Sequence, residues 1–172
     1  MDAQEFNTIV SYYQNSVAGI IYRLVRSQED ARDLMQDAFI RLWKHRHKLD
    51  NRRAALTYLY RTAVHLAIDR LRRRKFQMVD WTIAEVDQDT NGAVKDSREL
   101  FEAIMISAKQ LKPKQQTVFI LKDLEGFEFE EIAVLMNMTS ANLRSNLYLA
   151  RKKIKELLKR YFNITMEYWY DL

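Results

Sequence analysis

The sequence predicts an all-α protein of two small helical domains joined by a flexible acidic linker, and three observations predict it. The 172 residues include three Gly and one Pro, too few turn formers for a β protein. Apolar residues recur at three- and four-residue intervals over most of the chain. Charge is partitioned: residues 41–75 hold twelve Lys or Arg against two acids, residues 76–106 two bases against seven acids, and residues 107–160 eleven bases against six acids. Two basic modules thus flank an acidic connector in a chain whose net charge is only +5. This length suffices for two compact domains.

The first helix follows from one stripe, Phe6, Ile9, Val10, Tyr13, Val17, Ile20, Ile21 and Leu24, and ends near Arg26. Ser27 then stands as an N-cap with Asp30 in the capping-box position, opening a second helix through Ala31, Leu34, Met35, Ala38, Phe39 and Leu42. Its opposite face carries Asp33, Gln36 and Asp37. After a polar turn at Leu49-Asp50-Asn51, a third helix buries Leu56, Leu59, Ala63, Leu66 and Ala67, and turns Tyr58, Arg61, His65 and Arg72 outward. Periodicity fades between Phe76 and Asp96 as acids accumulate, which reads as the linker, although Trp81, Ile83 and Val86 give part of it something to dock with.

A second module begins near Glu99. Leu100, Ala103, Ile104, Ala108 and Leu111 form a stripe, and Pro113 sits where the first residue of a helix tolerates proline. Gly126 is expected to close that helix in the left-handed conformation. A short helix from Glu128 to Met136, a turn at Asn137-Met138 and a long helix from Thr139 to about Tyr161 then make a helix-turn-helix. Leu143, Leu147, Ala150, Ile154 and Leu157 face inward. Ala141, Arg144, Ser145, Tyr148, Lys152 and Lys155 face outward, with no acid among them.

Composition excludes several classes of chemistry. There is no cysteine, so neither a disulfide nor a thiolate metal site exists, and the three histidines, His45, His47 and His65, read as ordinary surface residues. No apolar run approaches ~18 residues and the N-terminus lacks a basic-then-apolar signal, so the chain reads as soluble and cytoplasmic. Nothing calls for a cofactor or a small-molecule substrate.

The charge points to a polyanion. The run Arg70, Arg72, Arg73, Arg74 and Lys75 ends a helix that also carries Tyr58 and Tyr60. Cations that neutralise phosphates beside rings that stack on unpaired bases suit single-stranded nucleic acid. On the last long helix Arg144 is placed to read guanine bidentately, Asn142 and Ser145 to bond base edges, and Arg151 and Lys152 to clamp phosphates.

Three stretches resemble the extracytoplasmic-function sigma factors of the sigma-70 superfamily, bacterial initiation factors that keep only regions two and four. Residues 27–44, SQEDARDLMQDAFIRLWK, resemble region 2.2. Residues 58–74, YLYRTAVHLAIDRLRRR, resemble regions 2.3 and 2.4, and residues 111–152 resemble region four. The resemblance implies region two over 1–75, an acidic linker over 76–98, region four over 99–161 and a tail over 162–172. It implies that Asp33, Gln36 and Asp37 grip the β′ clamp helices of core RNA polymerase, and that region four meets the β flap. Asn51, Arg52, Arg53, Tyr58, Arg61, His65 and Arg70 to Lys75 match positions that open and read the −10 element, with Asn51 at the loop that specifies a flipped base. Thr139, Ser140, Asn142, Arg144, Ser145, Tyr148, Arg151 and Lys152 fall in the −35 recognition helix. It further implies an inhibitory anti-sigma partner. Glu128 stands where the family commonly has a serine cap, His65 where an asparagine is frequent, and the recognition helix reads Thr-Ser-Ala-Asn-Leu-Arg-Ser-Asn, so the promoter sequence stays unread.

Two other readings stay open at this level. A stand-alone helix-turn-helix regulator would bind duplex DNA tightly without polymerase. A nuclease would need a third ligand or nucleophile beside Asp33 and Asp37, and the sequence offers none.

Overall fold

Seven α-helices carry the fold in a computed structural model that describes residues 1–77 and 97–165. They are α1 (Ala3–Val25), α2 (Gln28–His45), α3 (Arg52–Gln77), α4 (Ser97–Lys109), α5 (Pro113–Phe119), α6 (Phe129–Met136) and α7 (Ser140–Phe162). A 3₁₀ turn, Arg46–Lys48, follows α2, and a π turn, Ile120–Leu124, follows α5. The linker residues Trp81, Ile83 and Val86, and Met166, Tyr168, Trp169 and Tyr170 of the tail, lie outside the described residues.

Helix ends fall where local chemistry sets them. Asp2 caps α1 by accepting the Glu5 N–H at 2.8 Å, and the Glu5 carboxylate accepts the Asp2 N–H in return. Arg26 ends α1 in the left-handed conformation, an uncommon state for a residue with a side chain. The Ser27 hydroxyl accepts the Asp30 N–H at 3.3 Å, and Asn51 Oδ1 accepts the Ala54 N–H at 2.9 Å. Gly126 takes φ 72° and Asn137 φ 52°, the two left-handed positions expected of the second module. Thr139 caps α7 through the Asn142 N–H, and the Glu131 carboxylate accepts the Glu128 N–H at 2.8 Å.

Helices α1, α2 and α3 form a three-helix bundle around Val17, Ile21, Leu24, Ala38, Leu42, Leu59 and Ala63, all buried. Phe6 seals one end, 4.9 Å from the Trp43 ring and 6.4 Å from that of Phe39. In the second module α7 lies across α4, α5 and α6, burying Leu143, Leu147, Ala150, Ile154 and Leu158 against Leu111, Val118, Phe119, Leu121 and Ile132. Each Leu, Ile, Val or Phe among them contributes about 1.5–3 kcal/mol when fully removed from water.

The modules also pack on each other, through α3 against α5 and α6. One row of α3 fills the three-helix core. A second row, which includes Leu56 and Tyr60, faces a groove whose far wall is Phe127, Val134 and Leu135, and Val64 and Ile68 are buried as well. Arg23 pairs with Glu125 at 2.6 Å across this junction, and the Arg26 guanidinium lies 5.8 Å from the centre of the Phe101 ring.

Candidate nucleic-acid interface

On α2 the residues Asp33, Gln36 and Asp37 are exposed together, because Ala31, Leu34 and Ala38 take the opposite side into the core. Beside them runs an open apolar groove between α1 and α2, lined by Phe6, Val10, Met35, Phe39, Ile40 and Trp43, with Gln36 and Lys44 on its rim. Ile40 is half exposed there. A polar ridge beside an apolar furrow is a surface suited to another helix.

The N-terminal half of α3 gathers Asn51, Arg52 and Arg53, all exposed. Asn51 and Arg52, with Asp50, Glu5 and Thr8, line a small pocket whose floor includes Ile9, Leu49 and Ala55. The Arg52 guanidinium sits 5.9 Å from the Tyr13 ring centre. Tyr58 is half-buried and stacks on His45, with ring centres 5.1 Å apart and planes 24° apart. Tyr60 turns away, its hydroxyl donating to the Ser16 hydroxyl at 2.8 Å. Arg61 is half-buried, and His65 Nε2 faces the Met136 carbonyl oxygen of α6 at 3.4 Å.

The basic end of α3 divides into two pairs. Arg72 and Arg73 are exposed, and Arg72 bonds its helical neighbour Asp69 at 3.1 Å. Arg70 and Arg74, four residues apart, reach inward to one carboxylate: Asp30 Oδ1 accepts from Arg70 and Oδ2 from Arg74. Arg74 also donates to the Val25 carbonyl oxygen at the end of α1, at 2.8 Å. Asp30 is buried, whereas the two arginine side chains keep 32% and 37% of their surface. Lys75 is in the helix, with its side chain outside the described residues.

On α7, Thr139, Ser140, Asn142, Arg144, Ser145, Tyr148 and Lys152 are exposed along one flank. The Arg144 guanidinium sits 5.7 Å from the Phe129 ring centre, where Lys122 also approaches at 5.1 Å, so two cations share one ring. Arg151 is oriented differently. Its Nε and Nη2 donate to the two oxygens of Asp123 at 2.9 and 2.7 Å, a fork-to-fork pair with side-chain exposures of 17% and 9%. The hydrogen bonds to Asp123 hold the Arg151 guanidinium even further above its ordinary range, against the opposing effect of burial.

With this geometry in view, the chain can be compared with known proteins. The family model for sigma-70 region 2 matches residues 9–77, and that for sigma-70 region 4 matches residues 103–154. The chain is 31% identical to the ECF RNA polymerase sigma-E factor of Escherichia coli K12, with 92% of this chain and 91% of that protein covered. It is 27% identical to the ECF RNA polymerase sigma factor SigW of Bacillus subtilis, over 92% and 91% of the two chains. This chain belongs to the extracytoplasmic-function group of the sigma-70 family. It is an alternative sigma factor, which joins core RNA polymerase and recognises promoter DNA to initiate transcription. The fold is also that of the sigma factor RpoE solved in complex with the anti-sigma factor NepR from Bartonella quintana, at TM-score 0.59 and 18% identity, with 92% of this chain and 99% of that one covered.

Within this sigma factor the region 2 match spans most of α1, all of α2 and α3, and the region 4 match runs from α4 into α7. Three sequence expectations need correction in geometry. Arg151, expected to clamp phosphates, instead gives its Nε and Nη2 to Asp123. Asp30 does not complete the Ser27 capping box, because both its oxygens go to arginines 40 and 44 residues away. His65 does not lie on an open face, being covered by α6. Asp30 and Asp123 are the functional neighbours that sequence reading missed. The i, i+4 spacing of Arg70 and Arg74 was the available signal for the first. Among the described residues no group of three His, Asp or Glu side chains comes together to hold a metal, and no helix there is long and apolar enough to cross a membrane.

Proposed function

We propose that the exposed faces of α2, α3 and α7 divide the work of a sigma factor between polymerase, opened DNA and duplex DNA. Asp33, Gln36 and Asp37 bind the β′ clamp helices, with the apolar furrow beside them extending the contact. Arg52, Arg53, Arg72 and Arg73 track the non-template phosphates of the −10 element, and the pocket at Asn51 receives an unstacked base. Thr139, Ser140, Asn142, Arg144, Ser145, Tyr148 and Lys152 enter the −35 major groove, while Arg151 supports that helix from behind. Residues 1–77 and 97–162 act as the two modules, and the acidic connector tethers them so that the second contact is effectively intramolecular. No catalytic group of this chain is required, because binding energy alone opens the duplex, and the protein works in the cytoplasm. An anti-sigma factor, such as the partner of the Bartonella protein, is the expected inhibitor.

The observation that carries this reading is the pairing of two exposed cationic helix faces, Arg52, Arg53, Arg72 and Arg73 on α3 and Arg144 with Lys152 on α7. In vitro transcription with core polymerase, with start sites mapped, tests it. Runoff products that depend on this chain are expected, falling at least tenfold when Arg72 and Arg73 are both changed to Gln. Tight duplex binding without polymerase would instead support a stand-alone regulator.

A further inference from the structure

Asp30 is an unusual residue to find at the base of a DNA-binding helix. It is a buried acid in the first turn of α2, and it engages two cations of the promoter-facing segment of α3 at once. A single arginine would satisfy it. The second module shows what a simple staple looks like: Asp123 takes one arginine by both edges, and that arginine is left only 17% exposed. At Asp30 each arginine gives one edge and retains about a third of its surface. A guanidinium has five N–H donors in a fixed plane, so most of those on Arg70 and Arg74 remain for another acceptor. The node also keeps a net positive charge, two cations on one anion.

We infer that Asp30 is a positioning residue for promoter opening: it draws Arg70 and Arg74 together and holds them as a preformed two-guanidinium clamp for one backbone phosphate of the unpaired −10 strand. Two free arginines on a helix end repel each other and occupy many rotamers. The carboxylate between them cancels the repulsion, and the bond from Arg74 to the Val25 carbonyl fixes one fork against the end of α1. Ordering is thereby completed during folding and not at the moment of binding, which strengthens the bound state. A phosphate then presents its oxygens to N–H groups already aimed outward. This inference rests on the functional reading above and extends it to an acid that never touches DNA.

The prediction has a sign opposite to that of simple electrostatics. Asp30→Asn removes a negative charge beside the DNA path, so a mere screening acid would give tighter promoter binding when lost. A positioning acid gives weaker binding. The test is the affinity of the reconstituted holoenzyme for its mapped promoter between 50 and 200 mM salt, with binding of the same variants to core polymerase measured in parallel. For Asp30→Asn we expect affinity about five- to twentyfold lower, core binding unchanged, and a salt slope shallower by about 0.7, the value for one single-strand phosphate contact. Asp30→Glu should recover part of the loss. Equal or tighter promoter binding by Asp30→Asn, with the slope unaltered, overturns the inference and leaves Asp30 a helix staple. Should Asp30→Asn lose core binding through misfolding, the Arg70→Lys, Arg74→Lys double variant decides, since it keeps both charges and loses both forks. A comparable affinity loss then supports the clamp, and wild-type affinity overturns it. Failure of the wild-type holoenzyme to bind any promoter would sink the functional reading instead.

Discussion

Each module of this sigma factor hides one aspartate that reaches across to arginine on its basic helix, and the two use it differently. Asp123 engages Arg151 in a closed, bidentate pair behind α7, and the exposed flank of that helix is left to Asn142, Arg144, Ser145, Tyr148 and Lys152. Asp30 shares itself between Arg70 and Arg74 and leaves both partly open to solvent. On the proposed division of labour, the closed pair would seat α7 rigidly for duplex reading. On the clamp inferred above, the open pair would order phosphate contacts in advance for an unpaired strand.

The largest effect on stability should come from breaking the closed pair. Asp123→Ala leaves the Arg151 guanidinium partly buried with no counter-charge, and loss of one partner of such a pair costs about 3–5 kcal/mol. The second module should therefore unfold at markedly lower urea while α1 to α3 retain their transition, a difference visible by hydrogen exchange. If Asp123→Ala unfolds no earlier than wild type, the pair is only a surface contact and the contrast drawn above disappears. Because the raised Arg151 pKa starts from a group already charged throughout the working range, its stabilisation is fully present below the ordinary arginine value and is lost only above it. This pair should contribute no pH dependence between pH 6 and 9.

Arg144 comes next. It is exposed on the flank that Arg151 vacates, and its position over the Phe129 ring holds the guanidinium at the front of α7. Arg144→Ala should cost about 1–3 kcal/mol at one base pair of the −35 element and relax specificity there. A selection over randomised −35 sequences would reveal the base. Arg151→Gln, in contrast, should lower thermal stability and leave the selected −35 sequence unchanged. A changed sequence preference for Arg151→Gln would return that residue to the DNA-reading set.

These contrasts mark how far the sequence could be read. Caps and turns were legible because their chemistry is local: Ser27, Thr139, Asn137 and Gly126 act within four residues of themselves. The inward faces of α1 and α7 were legible because each helix is buried on one side, which a 3.6-residue period reports directly. Helix α3 was only half legible. It is packed on two sides, so the pattern that fitted Leu59, Ala63 and Leu66 said nothing of Val64 and Ile68 or of α6 lying over His65. A run of four consecutive basic residues likewise looks uniform in sequence, yet helical geometry sends Arg72 and Arg73 out and Arg74 back to join Arg70. The partners of Arg70, Arg74 and Arg151 lie 28 to 44 residues away, beyond any local rule.

The smallest effect sharpens the comparison by exposing one partner of the pair to solvent. Arg23 and Glu125 form an ion pair as short as the others, at 2.6 Å, but join the two modules at a junction where the Arg23 side chain is 42% exposed. Arg23 is solvated along much of its side chain while Glu125 keeps 19% of its surface, so the pair is partly screened and lies nearer the about 0–1 kcal/mol of exposed pairs than the closed pair does. Glu125→Gln should therefore shift the unfolding midpoint little and leave the radius of gyration in solution scattering unchanged. The packing of α3 on α5 and α6, with Leu135 buried there, holds the modules instead. Leu135→Glu sets an acid into that junction beside Glu130 and Glu131, and should part the modules and enlarge the scattering radius while α1 to α3 keep their helices. If Glu125→Gln opens the molecule and Leu135→Glu does not, the junction is electrostatic, and distance rather than burial would be the better guide to what an ion pair contributes in this protein.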